Sequence, residues 1–355
     1  LPICKGICLG PNNWVGRGYQ VMPVGITVEG ANILTRTLII FGQGAIRCHP
    51  YVLREMRAAK EMTGEAASRE FDDAFTSHVG HTIRNGVRAF LYGLTRGAIA
   101  PAPSSASHET RHYYRGVARL SAAFAFLSDV SMLAMGGALK KKEKISGRLG
   151  DVLSMMYLAS ATLKRFEDDG CLDADLPMVR WSVRDALYQA QQAIDAILSN
   201  FPVKALATLL RWTIFPLGTP FRPPLDSRNR KSARLLLEPG EARDRLTAGI
   251  FVPKGESDPT AILEAAFRAA IDCEEIDEKV RKAVKKGKVA PKPGADLGAL
   301  VRDAGLITPE EYLRWHRKEA LRRNVIKVDD FPQDFGRAEI LGRLAQETNL
   351  SAKAA

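Results

Sequence analysis

Aromatic residues make up only 7 % of this 355-residue chain. Surfaces that read nucleic acid interleave aromatics with basic side chains so that bases can stack. No such stripe is found here, which excludes nucleic acid as the leading partner. Cysteine is scarce too, with five residues at positions 4, 8, 48, 171 and 273. An odd, widely spaced set is not a disulfide scaffold and points to a reducing, cytoplasmic compartment. Cys4 and Cys8 stand in C-x3-C spacing, but no second Cys or His pair follows nearby, so no zinc site is expected there. Strict apolar–polar alternation is nearly missing, which excludes a sheet-built fold. There is no repeat of fixed period, no low-complexity tract and no recognisable leader peptide. The chain opens on Leu rather than Met, which we read as a piece of a longer protein.

What is present in quantity is apolar and basic. Apolar residues reach 46 % and charged residues 26 %, enough for a sizeable core and against bulk disorder. Lys and Arg number 51 against 40 acids, giving a net charge of +11. That surplus favours an anionic partner such as a phosphorylated ligand or an acidic membrane face.

Period-3.6 apolar patterns predict helices near 31–44, 50–59, 65–94, 107–139, 144–168 and 177–198. Pro101-Ala102-Pro103 and Asp169-Gly170 punctuate them. Long helices joined by short turns make an antiparallel bundle, so the fold class expected is all-α. After Asn200 the texture changes, with shorter helices near 225–237, 258–286 and 309–324 and a basic Pro/Gly linker from Lys285. The organisation read is a closing loop and helix over 1–46, a bundle over 47–200, a looser helical region over 201–350 and a frayed tail over 351–355.

Three stretches invite chemistry. Residues 119–139 are nearly long enough to span a bilayer, but Asp129 sits at their centre, where a charge costs several kcal/mol. A buried core helix is the better reading. His108-Glu109-Thr110-Arg111-His112 is a literal H-E-x-x-H. No third ligand follows, so a solvated helix start is preferred over zinc. In 201–218, Leu209, Trp212 and Phe215 stand among Lys204 and Arg211, the make-up of an interfacial helix. Peripheral contact with the inner membrane and packing onto the bundle remain open alternatives for it.

Glu29 is a lone acid among apolar residues, directly before Gly30 and a helix start. An apolar loop raises a carboxyl's pKa towards that of a general base, while a helix N-terminus favours the anion. Ten residues earlier lies Gly16-Arg17-Gly18-Tyr19. With Lys5–Asn13, Thr27–Arg36 and Ile40–Pro50, this resembles the end of a bacterial FadE-type acyl-coenzyme A dehydrogenase. The rest of the chain resembles that type's C-terminal extension. The resemblance implies an FAD-dependent enzyme that oxidises medium- to long-chain acyl-CoA to trans-2-enoyl-CoA in fatty-acid β-oxidation. It makes Glu29 the base that removes the C2 proton, with its backbone N–H near the thioester oxygen. Gly30, Gly16, Arg17, Gly18 and Tyr19 become substrate or cofactor contacts. It further implies an electron-transfer acceptor and a homo-oligomer, and it places the main flavin-binding body upstream of Leu1. A non-catalytic docking module is the alternative for most of the chain.

Overall fold

The computed structural model describes residues 18, 21–25, 35–253, 255, 258–291 and 294–326. The fold is all-α, with no strand among the described residues. Two compact units result, one over Ile26–Ala248 and one joining Leu1–Gly25 with Gly249–Ala355.

In the larger unit a π-helix over Thr35–Gln43 runs into one α-turn, Gly44–Arg47. Then come α1 (Val52–Glu61), α2 (Gly64–Leu94), α3 (Arg111–Met135), α4 (Glu143–Asp168) and α5 (Leu176–Ser199). A 3-10 stretch, Gly136–Lys141, separates α3 from α4. Three shorter helices follow: α6 (Lys204–Ile214), α7 (Asp226–Leu237) and α8 (Glu241–Thr247). The predicted long helices are present, and their ends follow local chemistry. After α4 the chain reverses through Gly170 at φ 86°, with Cys171 N–H donating to the Phe166 carbonyl at 2.9 Å. Glycine adopts that left-handed backbone without the Cβ penalty, which is why Asp169-Gly170 reads as a stop. The expected helix over 107–139 begins at Arg111, because residues 108–110 form a turn before it.

The core is aliphatic. Leu120, Leu127, Leu149, Leu163, Ile194 and Leu210 are wholly or almost wholly removed from solvent. Each such side chain is worth about 1.5–3 kcal/mol on burial. Helix α3 threads this core, packing against α2, α4 and α5. By length and hydropathy the stretch Arg111–Lys141 is apolar enough to cross a membrane, but it holds the core residues Leu120 and Leu127. The outer face of α2 is left uncovered. Val79, Ile83, Val87, Phe90 and Leu94 follow one another there at helical spacing and are exposed.

In the smaller unit the predicted single helix over 258–286 is two, α9 (Pro259–Asp272) and α10 (Glu274–Lys285), meeting at Cys273. α11 (Leu297–Asp303) and α12 (Pro309–Ile326) complete it. The Asp258 side chain caps α9 by accepting the Thr260 N–H at 2.8 Å. Trp315 and buried Lys318 of α12 both donate to Asp277 Oδ1 of α10, at 2.8 and 2.6 Å. That shared carboxylate ties the two helices and neutralises a lysine that burial would otherwise penalise.

Candidate functional site

Glu29, Gly30, Gly16, Arg17 and Tyr19 lie outside the described residues. Gly18 is helical, and a Cβ added to it would meet nothing within 4 Å. The chain becomes described again at Thr35, six residues after Glu29, and there it is held closely. Arg36 grips Asp151 of α4 with two parallel bonds, Nε to Oδ1 at 2.5 Å and Nη2 to Oδ2 at 2.6 Å. A Cβ on Gly150 would stand 2.7 Å from the Arg36 carbonyl oxygen. A glycine at this position is what allows the π-helix backbone to lie on α4. At Gly147, one turn back, a Cβ would meet only the side chains of Arg36 and Thr37, at 3.3 Å.

Gly150→Ala is therefore expected to push the 35–43 segment off α4. Overpacking of this kind costs about 1–3 kcal/mol, which in a unit of this size lowers Tm by several degrees, at about 2–4 °C per kcal/mol. Amide exchange across 35–43 should accelerate. Unchanged exchange there would show that the glycine contact does not hold the segment.

A second constellation has buried ionisable groups. Asp129 of α3, its side chain 4 % exposed, accepts from His49 Nε2 at 3.1 Å and from the Thr82 hydroxyl at 2.8 Å. His78 of α2 has Glu55 at 2.8 Å from Nδ1 and Asp129 at 3.8 Å from Nε2. Burial alone would raise the Asp129 pKa. The His49 and Thr82 hydrogen bonds carry it below its ordinary value instead. His81, beside them, is lowered, first by burial and then by His49, Arg84 and His78 against the opposing pull of Asp129. A groove of about 470 Å³ opens onto this floor between apolar walls that include Phe75, Val79 and Leu133.

Among the described residues, His49, His78 and Asp129 are the group close enough to share a metal ion, with ligand atoms within 4.8 Å of one another. The hydrogen bonds argue against that use. His49 Nδ1 accepts the backbone N–H groups of Tyr51 and Val52, at 3.2 and 3.1 Å. Its proton must then sit on Nε2, the atom a metal would need. A metal-bound histidine normally keeps its other nitrogen as an N–H donor, and here that nitrogen is an acceptor. The cluster is a junction: His49 caps the start of α1 and ties it, through Asp129, to α2 and α3.

Sequence reading passed over His49, His78 and Thr82 and registered Asp129 only as an obstacle to membrane spanning. The signal was present, since a lone carboxylate inside an apolar helix requires partners, and His78 and Thr82 are one helical turn apart. The H-E-x-x-H stretch does not form the pair of helical histidines its spacing suggests. His108 and Glu109 lie in the turn before α3, and Glu109 pairs with Arg180 of α5. Of the three apolar residues read as membrane contacts, Leu209 and Trp212 are exposed at 62 % and 69 %, on one face of α6. Phe215 is buried at 5 %, a correction to that set. The helix ends at Ile214, and the turn into Pro216 directs Phe215 into the core.

A model of the family described as acyl-CoA dehydrogenase, C-terminal, bacterial type, matches residues 46–331. The chain belongs to that family. No solved structure matches it. Relatives in acyl-CoA dehydrogenase families are typically FAD-dependent. A groove of about 790 Å³ beside the 35–43 segment is lined by Thr35, Arg36, Arg148, Asp151, Gln189 and Gln192. Of its polar lining, Arg36 is committed to Asp151, and Arg148 Nη1 donates to the Ala196 carbonyl at 3.5 Å.

Proposed function

We propose that this chain is the base-carrying, C-terminal part of an acyl-CoA dehydrogenase acting on medium- to long-chain acyl-CoA in fatty-acid β-oxidation. The observation that carries the reading is the family match, which begins at residue 46. It joins directly onto the Gly16–Pro50 stretch that resembles the bacterial FadE-type end of the catalytic bundle. Glu29 takes the C2 proton of the acyl thioester. A flavin, when bound, would supply the acceptor for the electron pair; the step derived from this chain is proton removal alone. Anaerobic titration of the natural full-length enzyme with a long-chain acyl-CoA, in wild type and Glu29→Gln, tests the assignment. Flavin bleaching in wild type, lost in a variant that still holds flavin, is the expected result. Equal bleaching in both removes Glu29 from the mechanism.

A second reading, docking to the inner membrane, is favoured by one feature. Leu209 and Trp212 stand outward three residues apart on a helix that also carries Lys204 and Arg211. Arg211 is engaged with Asp195, whereas the Lys204 ammonium donates only to the Ser199 carbonyl, at 3.4 Å, and keeps protons for a lipid headgroup. Replacing Leu209 and Trp212 together with Ala is expected to weaken partitioning onto anionic liposomes by roughly tenfold or more. Undiminished partitioning would move the contact elsewhere.

A further inference from the structure

Arg119 lies in the middle of α3 and is 2 % exposed. Its Nη1 is fully buried and has no hydrogen-bond acceptor. A guanidinium withdrawn from water needs opposite charge or good acceptors to offset its lost hydration. Arg119 has the face of Phe221, 5.7 Å from its central carbon. A ring quadrupole attracts a cation but accepts no in-plane hydrogen bonds.

The surroundings deepen the deficit. The charge acting on Arg119 is that of another cation, Arg96. Burial, then Arg96, brings Arg119 down to about 10. One turn earlier on the same helix, Arg115 also buries an Nε without a partner. The turn Thr95–Ala100 lies against this edge of α3, since a Cβ on Gly97 would meet the Arg115 carbonyl oxygen at 3.5 Å. Within that turn Arg96 holds a left-handed φ of 52°, uncommon for a residue with a side chain. The nearby acceptors are already engaged. Gln191 spends both ends of its amide on the Phe221 backbone, at 2.9 Å each. The Arg222 and Pro223 carbonyls receive Arg184.

We propose that Arg119, with Arg96 and Arg115, is a receptor for the phosphate or pyrophosphate group of a soluble metabolite, entered beside the Thr95–Ala100 turn. The unpartnered Nη1 of Arg119 and Nε of Arg115 are donors suited to a tetrahedral dianion, and the exposed Arg96, whose charge reaches Arg119, adds a cation on the solvent side. The same chemistry is presented by a phospholipid headgroup. Arg119 is 2 % exposed, out of reach of a flat bilayer surface, which favours the soluble source.

The test is calorimetric titration of the full chain with inorganic pyrophosphate and with phosphate, at ionic strength held constant with chloride. Vesicles of phosphatidylglycerol, with phosphatidylcholine as control, form the second arm. Saturable pyrophosphate binding is expected, at least tenfold weaker in Arg119→Met and several-fold weaker in Arg96→Ala. Arg148→Ala, remote from the turn, should match wild type. Arg119→Met replaces a buried charge with an apolar chain of similar length, a change that buried ion sites commonly tolerate. Should it not fold, Arg119→Lys keeps the charge but loses the two-pronged donor edge, and the same tenfold weakening is expected. Absence of saturable binding would overturn the proposal. Binding that survives Arg119→Met or Arg119→Lys would also overturn it, as anion uptake by the general basic surplus. Vesicle binding that depends on Arg119, without pyrophosphate binding, would reassign the site to lipid and overturn the soluble ligand.

Discussion

Turnover of the full-length enzyme is expected to fall by about 10²–10⁴-fold in Glu29→Gln, the range that general-base catalysis supplies. The amide is nearly isosteric with the carboxylate, so folding and flavin content should hold while proton removal fails. Acyl-CoA affinity should change little, since the carboxylate acts on a C–H bond that offers no ground-state hydrogen bond. The outcome to look for is a fall in kcat with KM nearly constant. A rise in KM with kcat preserved would make Glu29 a binding residue. The carboxyl oxygen must reach the C2 proton, and the chain that carries it is described again only at Thr35. The Arg36–Asp151 pair and the Gly150 contact fix the position of that downstream end.

The second large effect is on stability. Asp129→Ala is expected to cost about 3–5 kcal/mol, the range for breaking a buried charge network by removing one partner. At about 2–4 °C per kcal/mol for a unit of this size, Tm should drop by roughly 10 °C. His49 Nε2–H and the Thr82 hydroxyl lose their acceptor, and the cap on α1 loses its tie to α3. Asp129→Asn keeps one acceptor and should cost less. The pH dependence has a definite sign. The folded pKa of Asp129 is depressed. Its stabilising contribution is therefore fully present above the unfolded carboxylate value of about 4. It is lost as pH falls through the lower folded value. Wild type should lose stability over that acid window more steeply than Asp129→Ala. Parallel acid limbs for the two proteins would show that the network carries no such charge.

Much of the helical order was legible because it rests on local physics. Apolar spacing marks α2 to α5, Asp169-Gly170 marks a stop, and a Pro-rich turn separates α2 from α3. The miss at Cys273 has a physical cause. Residues 258–286 are apolar at helical spacing throughout, so periodicity carries no mark of the break. The short helices α8 and α11 went unread because seven residues give too few turns for a period to show. Phe215 was misplaced because composition cannot tell which way a helix end turns.

The sequence by itself determined the all-α class, the long helices and, through Gly16–Pro50, the resemblance to acyl-CoA dehydrogenases. These depend on neighbours within one or two helical turns, or on a motif read along the chain. Tertiary structure alone decided which charges share a space. Asp129 meets His49 from 80 residues away, and Arg36 meets Asp151 from 115 residues away. Arg119, which flanks an apolar run in the sequence, is enclosed by packing, and its Nη1 is left without an acceptor. Electrostatic partnership is set by distance and dielectric in three dimensions, and the separation of two residues along a chain does not encode either.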